Sequence, residues 1–451
     1  MACAEDFMSA LPGLPAFRSV EGAGKRILSA KFSETPEDLA RILKLFADDV
    51  QPAGVRLGSP GYLAFIPISS LYPAALGDYL ASVVNPFAGN FFASPGAVRL
   101  EHALTRWMAG FVGYPKTAAG DLTSGGSISN LTAVVCAREA HRLKARDYER
   151  AVVYLTSQTH HSVGKALRVA GLSGCIRREI PLDKSYRMDP RALEKTIRKD
   201  RKERLLPWLL VAAAGSTDTG AVDPLEDIAD IARRYGLWLH VDGAYGAMFA
   251  LCLPGKRVLR GMERSDSLTL DPHKGLFMPC GSGAVLVKNA RHLVEPYRYE
   301  AHYMQDRETL ASSDELSPSE LSPELTRPFR GLRLWLSLKL VGVGAFRAAL
   351  NEKLLLARYF YERIQSIKGI EVGPRPQLSV VVFRSVPERG DADEYNLRVL
   401  KWIQRDGRIF ITSTKLNGKV WLRLAVLCAA THQEQIELAL RILEAQTARK
   451  R

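Results

Sequence analysis

Between about residues 97 and 290 the chain alternates amphipathic stretches with short, nearly unbroken apolar runs. Apolar positions recurring every three or four residues predict helices over Val98–Val112 and Ser129–Ala145. Apolar runs bounded by turn formers predict buried strands at Ala151–Leu155, Trp208–Ala214, Leu237–Val241, Ser267–Leu270 and Gly283–Val287. Helices alternating with buried strands indicate an α/β fold built on a mostly parallel sheet. Upstream, Leu39, Ile42, Leu43 and Phe46 fall at helical spacing behind Thr35-Pro36, which predicts a helix over Pro36–Val50.

Residues 54–96 are rich in Gly, Pro and aromatics with few charges, the composition of a pocket wall or an interface. Residues 305–328 are polar, contain ELSP twice, and read as a mobile functional loop or a disordered one. Beyond them a long helix is expected over Gly331–Asn351. Strands are expected at Ser379–Phe383, Ile409–Thr412 and Trp421–Leu427, and an amphipathic helix at Gln433–Gln446. The resulting organisation is an N-terminal helical segment (1–60), a large domain (61–345) and a small α/β domain (346–451).

Composition narrows the function classes. With 451 residues, 47% apolar and 24% charged, the chain has the balance of a folded globular protein. Its longest apolar runs fall far short of the roughly 18 residues that a membrane helix needs, so no membrane role is expected. No charged-then-apolar leader opens it, and its six cysteines are scattered without a CxxC pair, which suits a reducing cytoplasm and argues against zinc or disulfides. The net charge is +14, but the basic residues are spread. The runs at 198–204 and 449–451 carry no interleaved aromatics, so a solvated basic surface is expected and no nucleic-acid partner.

Four segments carry candidate chemistry. Thr123-Ser124-Gly125-Gly126-Ser127-Ile128-Ser129-Asn130 precedes an apolar-periodic helix, where glycines permit a tight turn and free N–H groups attract an anion such as phosphate, although such turns are also common without a ligand. Leu239-His240-Val241-Asp242-Gly243-Ala244-Tyr245 ends a buried strand with a carboxylate that either caps the following turn or holds a proton on a ligand's pyridine nitrogen. In Asp271-Pro272-His273-Lys274, a lysine at a strand end is placed to be desolvated and nucleophilic. Asp242 and Lys274 lie 32 residues apart, one strand–helix–strand unit, and would reach the same sheet edge. Thr159-His160-His161-Ser162 also follows a strand, and offers an imidazole to stack on a ring or serve as a turn residue.

In this combination and order the chain resembles the group II pyridoxal-phosphate-dependent amino-acid decarboxylases, which include the aromatic-amino-acid, glutamate and cysteine-sulfinate decarboxylases. The resemblance runs from about Pro60 to the C-terminus, and Asp-Pro-His-Lys is its most specific motif. It implies the fold type I architecture of pyridoxal-phosphate enzymes, pyridoxal 5′-phosphate as cofactor, an amino-acid substrate, and a homodimer with shared active sites. It implies that Lys274 carries the cofactor covalently, Asp242 pairs with the pyridine nitrogen and His160 stacks on the ring. Gly126 and Ser127 match the phosphate-binding turn, while Thr217, Ala244, Asp271 and His273 match residues beside the cofactor. Phe65, Ile66 and Phe87 match segments lining the side-chain pocket, Gly342 a position near the substrate ring, and Arg423 an arginine near the substrate carboxylate.

The reaction expected is decarboxylation of an aromatic or bulky apolar L-amino acid to amine and CO2, because the matching pocket segments hold no arginine for a distal carboxylate. One departure bears on the product. Aromatic decarboxylases carry a mobile-loop tyrosine thought to reprotonate Cα, and this chain has no tyrosine from 304 to 328. Tyr303 directly precedes that segment and is the expected donor, with His160 the other candidate. Loss of the donor is how aldehyde synthases arise in the family, so decarboxylation-dependent oxidative deamination to an aldehyde is the alternative outcome, with another pyridoxal-phosphate-dependent lyase reaction beside it.

Overall fold

The computed structural model describes residues 2–66, 69–298 and 315–448. They form two compact units, one comprising residues 68–357 and 374–380, the other residues 1–67, 358–373 and 381–451.

The first of these units is built on a seven-stranded sheet of β1 (Ala119–Thr123), β2 (Ala151–Leu155), β3 (Ile176–Glu179), β4 (Leu206–Ala213), β5 (Trp238–Asp242), β6 (Ser267–Leu270) and β7 (Gly283–Val287). Their spatial order is β1-β7-β6-β5-β4-β2-β3. All pairs are parallel except those of β7, which runs antiparallel to both β1 and β6. Strands β4 and β7 are nearly all apolar because they are buried on both faces, whereas β5 and β6 also bury His240, Ser267 and Thr269. Two strands fall outside the expected set for opposite reasons. Edge strand β3 (IRRE) alternates exposed charges, whereas β1 (AGDLT) buries an aspartate that no hydrophobic pattern marks.

Helix boundaries differ from the expected ones where glycine intervenes. The helix expected over Ser129–Ala145 runs instead over Gly126–Ala140, starting behind Gly125 at φ +149° and ending before Arg142 at φ +50°. The long helix expected over Gly331–Asn351 is broken by Gly342 at φ +82° into Gly331–Val341 and Val343–Ile364.

The described part of the polar segment, 315–328, is packed rather than loose. Ser317 and Glu320 form a reciprocal capping box around the turn Pro318–Glu320, and the Phe91 N–H donates to Ser317 Oγ at 3.0 Å. Arg327 is buried between the Glu101 and Asp121 carboxylates, donating to both and to the Leu122 carbonyl. Burial pushes the Glu101 carboxyl up to about 7, with the Arg327 guanidinium pulling it the other way. Arg327→Leu is expected to lower stability by about 3–5 kcal/mol, since it strands two buried carboxylates. By contrast, removal of Arg99 from its exposed pair with Glu315 should leave stability nearly unchanged, and urea midpoints would separate the two.

In the other unit, residues of the N-terminal stretch join the C-terminal region rather than standing as a separate segment. The Ala16 N–H donates to the Gly407 carbonyl, and Phe410 pairs with Tyr62 in a parallel bridge, accepting the Leu63 N–H and donating to the Gly61 carbonyl. These bonds use up Phe410, so the strand expected at Ile409–Thr412 begins only at Thr412 and runs to Leu416. It forms a hairpin with Lys419–Ala425 across Asn417-Gly418, both at positive φ as a type I′ turn requires. The helix expected over Pro36–Val50 starts at Leu39, capped by Asp38, and loosens at Phe46–Val50. Its apolar stripe Leu39, Ile42, Leu43 and Phe46 is exposed. No helix among the described residues is long and apolar enough to cross a membrane.

Candidate active site

Five strand ends of the seven-stranded sheet open onto one cavity of about 360 Å³, at the carboxyl edge where α/β sheets bind ligands. The end of β5 supplies Asp242 and Ala244, and the turn after β6 supplies Asp271, His273 and Lys274. The loop after β2 supplies His160, whereas His161 opens the helix His161–Val169 and does not line the cavity. Thr217 comes from the loop after β4, and Gly126 and Ser127 from the turn between β1 and the helix Gly126–Ala140.

The charged groups are interlocked. Lys274 Nζ lies 3.0 Å from Asp271 Oδ2, which also accepts the Gly126 N–H at 3.2 Å and lies 3.5 Å from His273 Nε2. Asp242 accepts from Asn130 Nδ2 at 3.0 Å and from the Ala244 N–H at 3.1 Å. Burial lowers the proton affinities of His160 and His273, with Asp242 and Asp271 respectively opposing it. Burial likewise pushes His240, directly behind Asp242 on β5, down to about 4.

Other expected residues lie elsewhere. Phe87 is 44% exposed and Gly342 breaks a helix, and neither lines the cavity. Phe65, Ile66 and Arg423 belong to the other unit, where Phe65 is exposed at φ +44°, Ile66 is buried, and Arg423 is buried with its guanidinium 3.4 Å from Thr412 Oγ1. Tyr303 lies outside the described residues.

The family model described as the pyridoxal-dependent decarboxylase conserved domain matches residues 22–386. The chain belongs to that family. An aromatic-L-amino-acid decarboxylase of Bacillus atrophaeus is 36% identical to this decarboxylase over 443 residues, covering 97% of this chain and 92% of that one. A phenylacetaldehyde synthase of Petunia hybrida is 28% identical over 455 residues, covering 96% and 90%. The crystal structure of Oryza sativa TDC with PLP and tryptamine matches with a TM-score of 0.93 at 26% identity, covering 99% of this chain and 95% of that one. This protein is accordingly a pyridoxal-phosphate-dependent amino-acid decarboxylase of the α/β fold type I architecture.

The cavity fits that cofactor. Asp271 Oδ1 and His273 Nδ1 are buried and have no hydrogen-bond partner among the described residues, leaving polar capacity for a ligand. A Cβ at Gly126 would lie 3.1 Å from Asp271 Oδ2 and 3.2 Å from Ala244 Cβ, so a side chain there would crowd the cradle. Residues not singled out from sequence also face the cavity, notably Asn130, Ser162, Ser216 and Tyr245. Asn130 closes the Gly-rich segment and Ser162 follows the histidine pair, so proximity to those motifs was the available signal.

Proposed function

We propose that this decarboxylase acts on an aromatic L-amino acid and releases the amine and CO2, working as a cytoplasmic homodimer. The observation that carries the substrate class is the charge of the cavity: Lys274, Asp242 and Asp271 line it, and no arginine does among the described residues. A second carboxylate on the substrate would enter without a cation to meet it. The name of the Bacillus atrophaeus relative supports the same class.

The bound cofactor supplies a conjugated ring that accepts the electron pair left when the Cα–carboxylate bond breaks. In this reading Lys274 anchors it covalently, Asp242 keeps a proton on its pyridine nitrogen, and His160 packs on its face. Gly126 and Ser127 take its phosphate at the start of a helix, with Thr217, Ala244, Asp271 and His273 around it. Phe65, Ile66, Phe87, Gly342 and Arg423 contribute to substrate recognition, and the homodimer brings Phe87 and its neighbours to the second copy's cavity. The exposed stripe at Leu39, Ile42, Leu43 and Phe46, and the exposed Tyr79, Val83, Val84 and Phe87, support an interface with a second copy. A fully active monomer in sedimentation would overturn that part. The described cysteines form no disulfide with one another, which supports the cytoplasm.

A panel of amino acids assayed for CO2, amine, aldehyde and peroxide tests the reading. Aromatic substrates should exceed glutamate by at least tenfold in kcat/KM, and preference for glutamate would overturn it. Tyr303 is the proposed donor of the proton returned to Cα. Tyr303→Phe should lower amine formation by about 10²–10⁴, the usual contribution of a general acid. Aldehyde and peroxide should rise as O2 takes the electron pair instead. An unchanged amine rate without aldehyde would assign the proton to His160 or water.

A further inference from the structure

Behind the cavity wall lies a buried chain of hydrogen bonds whose directions follow from the Asp242 carboxylate and the Ser162 backbone N–H. Asn130 is fully buried, with Nδ2 3.0 Å from Asp242 Oδ2 and 2.9 Å from Ser162 Oγ. A carboxylate only accepts, so the amide must present its NH2 to Asp242 and its oxygen to the opposite side. There the Asn130 Oδ1 accepts from Thr269 Oγ1 at 2.6 Å and from His240 Nε2 at 3.0 Å. His240 is neutral through burial, and its Nδ1 accepts from Ser267 Oγ at 2.9 Å, which in turn accepts the Trp238 indole N–H at 2.8 Å.

On the cavity side the same logic continues. Ser162 Oγ accepts the second Nδ2 hydrogen of Asn130, which leaves its own proton available to His160 Nδ1 at 2.7 Å. The backbone N–H of Ser162 donates to that same nitrogen at 3.3 Å, the imidazole serving as N-cap of the helix His161–Val169. Two donors converge on Nδ1, so it carries no proton. The ring's one proton sits on Nε2, which has no protein partner among the described residues.

We propose that Asn130 is a positioning residue which, through Ser162, locks His160 as the neutral Nε2–H tautomer and ties that state to the ionised carboxylate of Asp242. The inference rests on the reading that His160 and Asp242 face the cofactor, and deepens it. An amide flip would free His160 only by turning the Asn130 oxygen against Asp242. The ring packed on the cofactor therefore stays uncharged while Asp242 stays negative, and Nε2–H is the single proton that His160 presents to the cavity. The charged and titratable groups facing His160 are Asp242, Asp271, Lys274 and His161, whose ring centroid lies 4.1 Å away. The two carboxylates favour a protonated ring, and the double donation to Nδ1 acts against them.

The test is nitrogen NMR of histidine-labelled holoenzyme, with His160 assigned by the signal lost in His160→Gln. Wild type should show one Nε2–H tautomer with no protonation across pH of about 6–8, where a free imidazole titrates. Ser162→Ala and Asn130→Asp should each raise the proton affinity of His160 about three- to tenfold, the weight of one hydrogen bond to the neutral form. The double variant should show no further rise, since both break one relay. Asn130→Asp alone should also weaken cofactor retention, because it opposes Asp242 with a like charge. A wild-type Nδ1–H tautomer would overturn the proposal, as would unchanged proton affinity in both variants at near-native melting temperature. The wild-type spectrum decides the matter even if a variant does not fold. A missing visible cofactor band would instead count against the cofactor reading, while the tautomer of the same sample still judges the relay.

Discussion

Lys274→Ala is expected to abolish the visible absorption band of bound cofactor and to lower kcat by roughly 10⁵, the advantage of a covalently held over a freely diffusing partner. Lys274 sits at the end of β6, partly exposed in the cavity and 3.0 Å from the buried Asp271 carboxylate. Its ammonium has one close counter-ion among the described residues, so removing it leaves Asp271 buried without its cation. The variant should fold with a lowered melting temperature for that reason. Lys274→Ala combined with Asp271→Asn separates the two effects, because the second change removes the stranded charge. Melting temperature should recover in the double variant while turnover does not. Turnover with bound cofactor in either variant would refute the assignment of Lys274.

Legibility followed solvent exposure and strand placement. The strands Ala151–Leu155, Ser267–Leu270 and Gly283–Val287 have the bounds the sequence predicts, since burial on both faces favours runs of apolar and small residues between turn formers. Lys274, Asp242 and His160 were legible because each follows such a run, and a strand's carboxyl end is where ligand groups collect. The direction of β7 was not, because a run of apolar residues reads the same in either direction. β1 was hidden by Asp121, whose burial depends on Arg327 from a segment 206 residues later. Asn130 was hidden differently. In a helix an asparagine is a weak signal, and only the convergence of β5, β6 and the helix His161–Val169 shows why this one is needed. The helix at residue 39 shows the limit of periodicity, which reported an apolar stripe without saying that the stripe would face solvent.

Asp242→Asn should leave the fold intact and still lower kcat by about 10²–10⁴. The side chain keeps its size, and its remaining oxygen can accept the Ala244 N–H, so the turn after β5 is preserved. What changes is charge. The carboxylate proposed to hold a proton on the pyridine nitrogen is replaced by a neutral amide, which would remove one member of a partly buried ion pair worth about 3–5 kcal/mol when broken. The amide must also settle with Asn130, whose NH2 now faces a group able to donate as well as accept. If the Asn130 amide turns to suit, Ser162 no longer has its donor and His160 is released from its tautomer. Asp242→Asn should therefore shift both the cofactor absorption and the His160 nitrogen signals, whereas a change confined to the pyridine nitrogen would move only the first. Rates within about threefold of wild type would remove Asp242 from its assigned role. A large loss of rate with unmoved His160 signals would keep that role and limit Asn130 to holding the carboxylate.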